Sequence, residues 1–516
     1  MQMVLCAAYF TVLLLLAMYG LHRSHLVLTC LRFKKKLVEL RRPPSPLSDD
    51  ELPVVTVQLP LFNEATVATR LLDHVAALDY PHDKLEIQVL DDSTDETVAL
   101  VRAHVRELVE RSSGTLDIKY IHRVERTGYK AGALDHGLKQ ARGELVAIFD
   151  ADFLPQPDFL RATVVHFADP KVGMVQARWG HMNRDHSMLT RTQALMLDGH
   201  HLVENRARYA AGWLFNFSGT GGVWRRVAIA EAGGWQHDTL TEDLDLSYRA
   251  QLAGWKFVYR DDVVTPAELP EDVSAFRAQQ YRWAKGTVQT ARKLLGRVLR
   301  SELTLMQRIE AFFHMTPHFA YPLMVVLSVL LLPALVLMPA TNPETMLLID
   351  LPLCIGTTGS LLAFYAMAEA AQGRSRWKAV RQLPALLALG AGLAPHLSKA
   401  VLEGLQHMAG EFVRTPKKGE DAKGNPRYRA RADLPLVEIA LCLLSLGSVV
   451  ASLETGHWFA TPFALLFTFG YGYVATLVAS EQLARRRAAA GVPAAVAIDS
   501  VPPATEVSAA ETELAA

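Results

Sequence analysis

Five tracts of the chain are almost continuously apolar. Between the first and the second, short β-branched runs alternate with amphipathic ones. Met3–Leu21 carries no charge and is long enough to cross ~30 Å of hydrocarbon. It lacks the basic leader and small-residue cleavage site of a signal peptide, and basic residues follow it (Arg32, Lys34, Lys35, Lys36, Arg41, Arg42), so an uncleaved span is expected. The later tracts are Tyr321–Met338, Met346–Ala370, Leu434–Leu453 and Trp458–Ala479. A further apolar stretch, 383–394, is short for a crossing.

Basic residues cluster at 32–42, 374–381, 414–431 and 485–487, whereas the connectors "ATNPETM" and "LETGH" contain none. Five spans with the N-terminus outside put every basic cluster in the cytoplasm. A crossing at 383–394 would expel one of them, so 383–412 is expected to be interfacial or re-entrant.

In the insert the period changes. "VVTVQLPLF" (54–62), "LEIQVL" (85–90) and "ELVAIF" (144–149) read as buried strands, the first two leading into helical stretches. Strands alternating with helices predict a mostly parallel, doubly wound sheet, whose ligands bind beyond the carboxyl ends of the strands. The polar residues of interest fall at those ends.

Composition adds little. There are 53 basic and 53 acidic residues, which argues against a nucleic-acid binder. The four cysteines, Cys6, Cys30, Cys354 and Cys442, lie in or near apolar tracts without CxxC spacing and read as small buried hydrophobes.

The candidate chemistry is acidic. Asp91 and Asp92 close the second strand; neighbours on a strand face opposite ways, so one can reach a ligand while the other caps the next helix, or both are structural. Asp150 and Asp152 of "FDADF" are separated by one residue, and two such carboxylates at a strand end repel unless a cation or proton lies between them. A hard divalent metal holding waters and a diphosphate suits them. "TLTEDLDL" starts a helix with Thr241 as cap; Glu242 and Asp243 are either functional or ordinary compensation of the helix dipole. Gly219, Gly221 and Gly222 upstream permit close backbone approach to a ligand. In "AFRAQQYRWAKG", Arg282 offers a fork for phosphate and Trp283 a flat face for a sugar ring. A headgroup-level amphipathic helix accounts for the same residues equally well.

Taken in order, these stretches, with "RTGYKAGALDHGL", "VQARW", "FNFSGTGGVWRR" and "QQYRW", resemble the inverting, membrane-embedded glycosyltransferases of family 2. The resemblance is to the cellulose-synthase-like members, namely plant mannan and glucomannan synthases and bacterial cellulose-synthase relatives, over nearly all of 52–290. It implies an α/β GT-A (Rossmann-like) domain inserted in an all-α multi-span membrane domain. The expected units are a membrane helix at 1–30, the catalytic domain at 50–273 and an interfacial helix with QxxRW at 274–310. A membrane region follows at 315–480, with the interfacial segment 383–412 and a gating-like loop 413–420 ("RTPKKG"), then a disordered tail at 485–516.

The resemblance also implies roles. Asp243 would be the general base, with Asp150 and Asp152 on Mg2+ or Mn2+. The nucleotide-sugar would touch Asn63, Glu64, Asp91, Asp92, Lys130, Gln279 and Arg282, and the acceptor Trp283, Glu242, Gly219 and Thr220. The implied activity is processive transfer of hexose from a nucleotide-sugar to a growing β-glycan, with export through the bilayer and room for an export partner protein. A related alternative is a glycolipid synthase. The chain has Ser218-Gly219-Thr220-Gly221-Gly222 where plant mannan synthases have Asn-Gly-Thr-Ala-Gly, and Thr241 where they have Val. TED also occurs in cellulose synthases, which leaves UDP-glucose and GDP-mannose both open as donor.

Overall fold

The computed structural model describes residues 2–42, 44–337, 355–410, 419 and 434–490. A long apolar helix, α1 (Gln2–Arg32), leads into a seven-stranded sheet. Its strands are β1 (Val55–Leu61), β2 (Leu85–Asp91), β3 (Asp117–His122), β4 (Leu145–Ile148), β5 (Val172–His181), β6 (Gly222–Arg225) and β7 (Lys256–Ala267). Their spatial order is β3-β2-β1-β4-β6-β5-β7. All pairings are parallel except those of β6, which runs antiparallel to both neighbours. The sequence anticipates β1, β2 and β4; the antiparallel insertion of β6 has no local signal.

Alternate residues of β4 explain why it is apolar throughout. Leu145 and Ala147 enter one core with Leu59, Val89 and Leu71, whereas Val146 and Ile148 enter a second with Leu134, Phe217 and Trp224. A parallel strand covered on both faces has no solvent side to keep polar. Among the covering helices are α2 (Ala68–Ala76), α3 (Thr97–Arg111) and α4 (Tyr129–Leu138). Later come α5 (Met188–Gly199), whose Leu189 and Leu195 pack among the apolar helices, and α6 (Glu242–Leu252), whose Leu246 and Ala250 join the second core.

Beyond the sheet, the expected 274–310 helix is two: α7 (Val273–Arg300), which carries QxxRW, and α8 (Leu305–Met315). The remaining helices are α9 (Ala320–Leu337), α10 (Ser360–Ala371), α11 (Arg376–Gln406), α12 (Leu436–Glu454) and α13 (Thr461–Ala490). Among the described residues, five helices are long and apolar enough to cross a membrane: Gln2–Arg32, Pro317–Leu337, Arg376–Gln406, Leu436–Glu454 and Thr461–Arg485. Of the tract Met346–Ala370 only the part from Ile355 is described, and it is helical. Helix α13 continues to Ala490, into the stretch read as tail; 491–516 and all of 413–420 but Gly419 lie outside the described residues.

The short apolar stretch 383–394 is the middle of α11, a continuous 31-residue helix. Half of its most apolar window is buried, more than in the other four candidates. Both of its flanks are fastened to the sheet domain. At the start, Arg374 pairs with Asp198 of α5 at 2.9 Å. At the end, the Ala409 amide donates to the Asp238 carbonyl at 2.8 Å. Backbones touch where helices cross: a Cβ on Gly392 would lie 2.2 Å from the Gly470 carbonyl oxygen of α13, and one on Gly20 of α1 2.1 Å from that of Gly356. Small residues allow such close packing in apolar surroundings. Helix α1 is also tied to α8 by His22 and Glu310 at 2.7 Å, and Arg208 holds the other Glu310 oxygen at 2.9 Å.

Candidate active site

A cleft of ≈ 180 Å³ opens beyond the carboxyl ends of β1 and β4, between the sheet, the start of α6 and helix α7. Glu64, Asp92, Lys130, Asp150, Asp152, Gly219, Glu242, Asp243, Gln279, Arg282 and Trp283 all line it. Asn63, Asp91 and Thr220 do not line it.

Each of those three has structural partners. Asp91 faces away from Asp92, as the strand period requires, and accepts from the Ser93 amide (2.9 Å) and the Tyr120 hydroxyl (2.5 Å). Neither aspartate caps α3; the Asp95 carboxylate does, accepting from the Thr97 amide at 2.9 Å. Asn63, with a left-handed φ of 55°, ties the β1 end to the β2 end by accepting from the Thr94 amide at 2.9 Å. Thr220 Oγ1 accepts from the Asp150 amide at 2.9 Å, which fixes the backbone where β4 ends.

The facing carboxylate, Asp92, is gripped by both forks of Arg123, at 2.7 and 2.5 Å. Beside it, Arg126 lies over the Phe62 ring at 3.4 Å. Lys130 of α4 reaches across to donate to Asp150 Oδ1 (2.5 Å) and to the Gly219 carbonyl (2.9 Å). Gly219 adopts φ 84°, and a Cβ there would come 3.1 Å from Asp243 Oδ2. The positive φ and the nearby carboxylate together favour glycine at this position.

Asp243 sits in the first turn of α6, with Oδ1 accepting from the Leu244 amide at 2.8 Å. Desolvation, and then the charge of Glu242, raise its carboxyl to about 7. Glu242 is raised too, chiefly by burial, with Lys130 opposing. Burial lowers the Arg282 guanidinium, against Glu242, Asp150, Asp243 and Asp152, which all hold it up. Thr241 occupies the cap position of α6, but its hydroxyl pairs with Thr290 Oγ1 at 3.1 Å instead of capping.

Trp283 lies 6.4 Å, centroid to centroid, from Trp179. Trp179, His181, Arg126 and Glu268 line the cleft without having been singled out as site residues. Trp179 and His181 end β5 and Glu268 follows β7, so their arrival depends on how β5, β6 and β7 are ordered. "VQARW" ending a strand was the available signal.

The donor set suits a hard cation. Asp150 and Asp152 offer carboxylate oxygens at the cleft, and among the described residues no group of three or more His, Cys, Asp or Glu forms a full cage. Mg2+ and Mn2+ are commonly bound by one or two carboxylates with waters and substrate phosphates.

A family model described as "Glycosyltransferase like family 2" matches residues 53–286. Glucomannan 4-β-mannosyltransferase 1 of Oryza sativa subsp. japonica is 36% identical over 465 residues, covering 85% of this chain and 87% of that one. Glucomannan 4-β-mannosyltransferase 2 of Arabidopsis thaliana is 37% identical over 408 residues, covering 74% and 72%. Among solved structures, a mannosyltransferase from Pyrobaculum calidifontis in complex with GDP-Man and Mn2+ is similar with a TM-score of 0.50 at 24% identity, covering 78% of this chain and 97% of that one.

Proposed function

The chain belongs to the family 2 glycosyltransferases, and on that footing we propose that it is a membrane-embedded hexosyltransferase that builds a β-glycan processively and exports it. The observation that carries the reading is the meeting of Asp150, Asp152, Asp243, Arg282 and Trp283 in one cleft against α7. The names of its relatives support a mannosyl donor; we take GDP-mannose as that donor, with UDP-glucose as the alternative.

A sugar hydroxyl is a weak nucleophile. Asp243 takes its proton as the oxygen attacks the anomeric carbon, and the bond to the nucleoside diphosphate breaks on the opposite face. One displacement converts an α-linked donor into a β-linked product. Arg282 and Lys130 offset the charge that develops on the diphosphate. Mg2+ or Mn2+ on Asp150 and Asp152 would neutralise more of that charge. Trp283, paired with Trp179, offers a face on which the acceptor terminus lies. Glu64, Asp92 and Arg126 mark the nucleotide end.

The fastening of both α11 flanks to the sheet domain supports an interfacial helix, and the basic clusters support a cytoplasmic catalytic domain with the N-terminus outside. The test is product size. Membranes given labelled GDP-mannose or UDP-glucose with Mn2+ or Mg2+ should yield ethanol-insoluble, β-glycanase-sensitive polymer. Label moving wholly with chloroform-soluble lipid would establish the glycolipid synthase instead.

A further inference from the structure

The loop that delivers Asp243 to the cleft is held from the helix that carries QxxRW. The Leu240 amide donates to Gln289 Oε1 at 3.0 Å. Lys293 Nζ donates to Gln236 Oε1 at 2.6 Å and Asp238 Oδ1 at 2.7 Å. Gly286 brings the two backbones together, since a Cβ there would lie 2.8 Å from the Thr241 nitrogen.

Gln289 also faces the other way. Its Nε2 donates to the His407 carbonyl at 2.9 Å and to the Ala409 carbonyl at 2.7 Å, just past the end of α11. The side chain is fully buried, and both N–H groups and the oxygen are used. A carboxylate here would face two carbonyl oxygens. A leucine would strand two carbonyls and one amide inside the protein, and unsatisfied buried groups are costly.

We propose that Gln289 is a positioning residue: it sets the spacing between the 236–241 loop and the end of α11, and so aims the Asp243 carboxylate three residues beyond Leu240. The inference rests on the reading of Asp243 as base. Of the groups assigned to the diphosphate and its metal, Asp150, Asp152 and Lys130 come from the end of β4 and from α4, and Arg282 stands about two turns before Gln289 on α7; the hydrogen bonds of this amide go instead to Leu240, His407 and Ala409. Gln289 should therefore act on turnover and leave diphosphate binding alone.

The full chain in lipid nanodiscs separates the two. For Gln289→Leu and Gln289→Glu, binding of nucleoside diphosphate with Mn2+ should stay within about threefold of the parent, while kcat falls about 10- to 100-fold, the scale expected of a misplaced catalytic group. Thr290→Val, which removes the neighbouring tie with little change of shape, should lower kcat in the same direction by less and covers the case in which the Gln289 variants do not fold. Unchanged kcat in folded Gln289 variants overturns the inference. So does a loss of kcat and diphosphate binding in equal proportion, which is what a merely structural role would give. Full turnover by Asp243→Asn would overturn the base assignment itself, a result distinct from either.

Discussion

On the proposed function, Asp243 must be basic enough to take a proton while it stands, half-buried, at the cleft. Desolvation and Glu242 push it up to about 7, near the pH at which it must work. Only the ionised form can accept the proton, so kcat/KM should rise with pH up to about 7 and level off above it. The pH–rate profile reads this directly; a flat profile from pH 5.5 to 8.5 would remove the base role. Asp243→Asn should remove roughly 10²- to 10⁴-fold of turnover with the protein still folded. Gly219→Ala would put a methyl on Asp243 and hold a non-glycine residue at φ 84°, a strain of about 1–2 kcal/mol. It should cost activity well beyond its effect on melting temperature. Arg123→Ala differs in kind, because it leaves Asp92 buried without its forked partner. Breaking such a pair costs about 3–5 kcal/mol, so a lowered melting temperature should precede any change in chemistry.

At the scale of elements, the strand ends were legible because buried parallel strands read as unbroken apolar runs, with the carboxylates placed where each run stops. That is why the Asp91–Asp92 pair, Asp150 and Asp152 can be placed at strand ends from the sequence, although which of Asp91 and Asp92 faces the cleft cannot. The contributions of β5 and β7 were not, since no local pattern says that β6 enters antiparallel between β4 and β5. Helix α11 shows a second limit. Gln382 and His396 bound its apolar tract in the sequence, yet the helix runs past both, and through Pro384, Gly390, Gly392 and Pro395, braced by α7 and α13. Hydropathy reports how apolar a helix is, not whether lipid or protein meets that surface. If α11 lies along the cytoplasmic face, cysteines placed singly at Ser375 and His407, in a chain with its own cysteines replaced, should both react with an impermeant maleimide from the cytoplasmic side. Labelling from opposite sides would make α11 a crossing helix.

For the molecule as a whole, the location of the cleft is the consequence that matters. The QxxRW helix forms one wall of the cleft and packs along α11, so on the proposed function a chain extended at Trp283 would grow beside the apolar helices rather than toward open solvent. That placement supports the proposed export over release of product into solvent. Proteoliposomes can decide between the two. With catalytic domains facing outward and donor supplied outside, labelled polymer should accumulate in the lumen and resist added β-glycanase until detergent is introduced. Polymer degraded at once by external enzyme would mean that synthesis and export are separate. Because Trp283 offers the face on which the acceptor would lie, Trp283→Ala should shorten the chains more than it slows donor consumption. Chain-length distribution measured against nucleotide release tests that ratio.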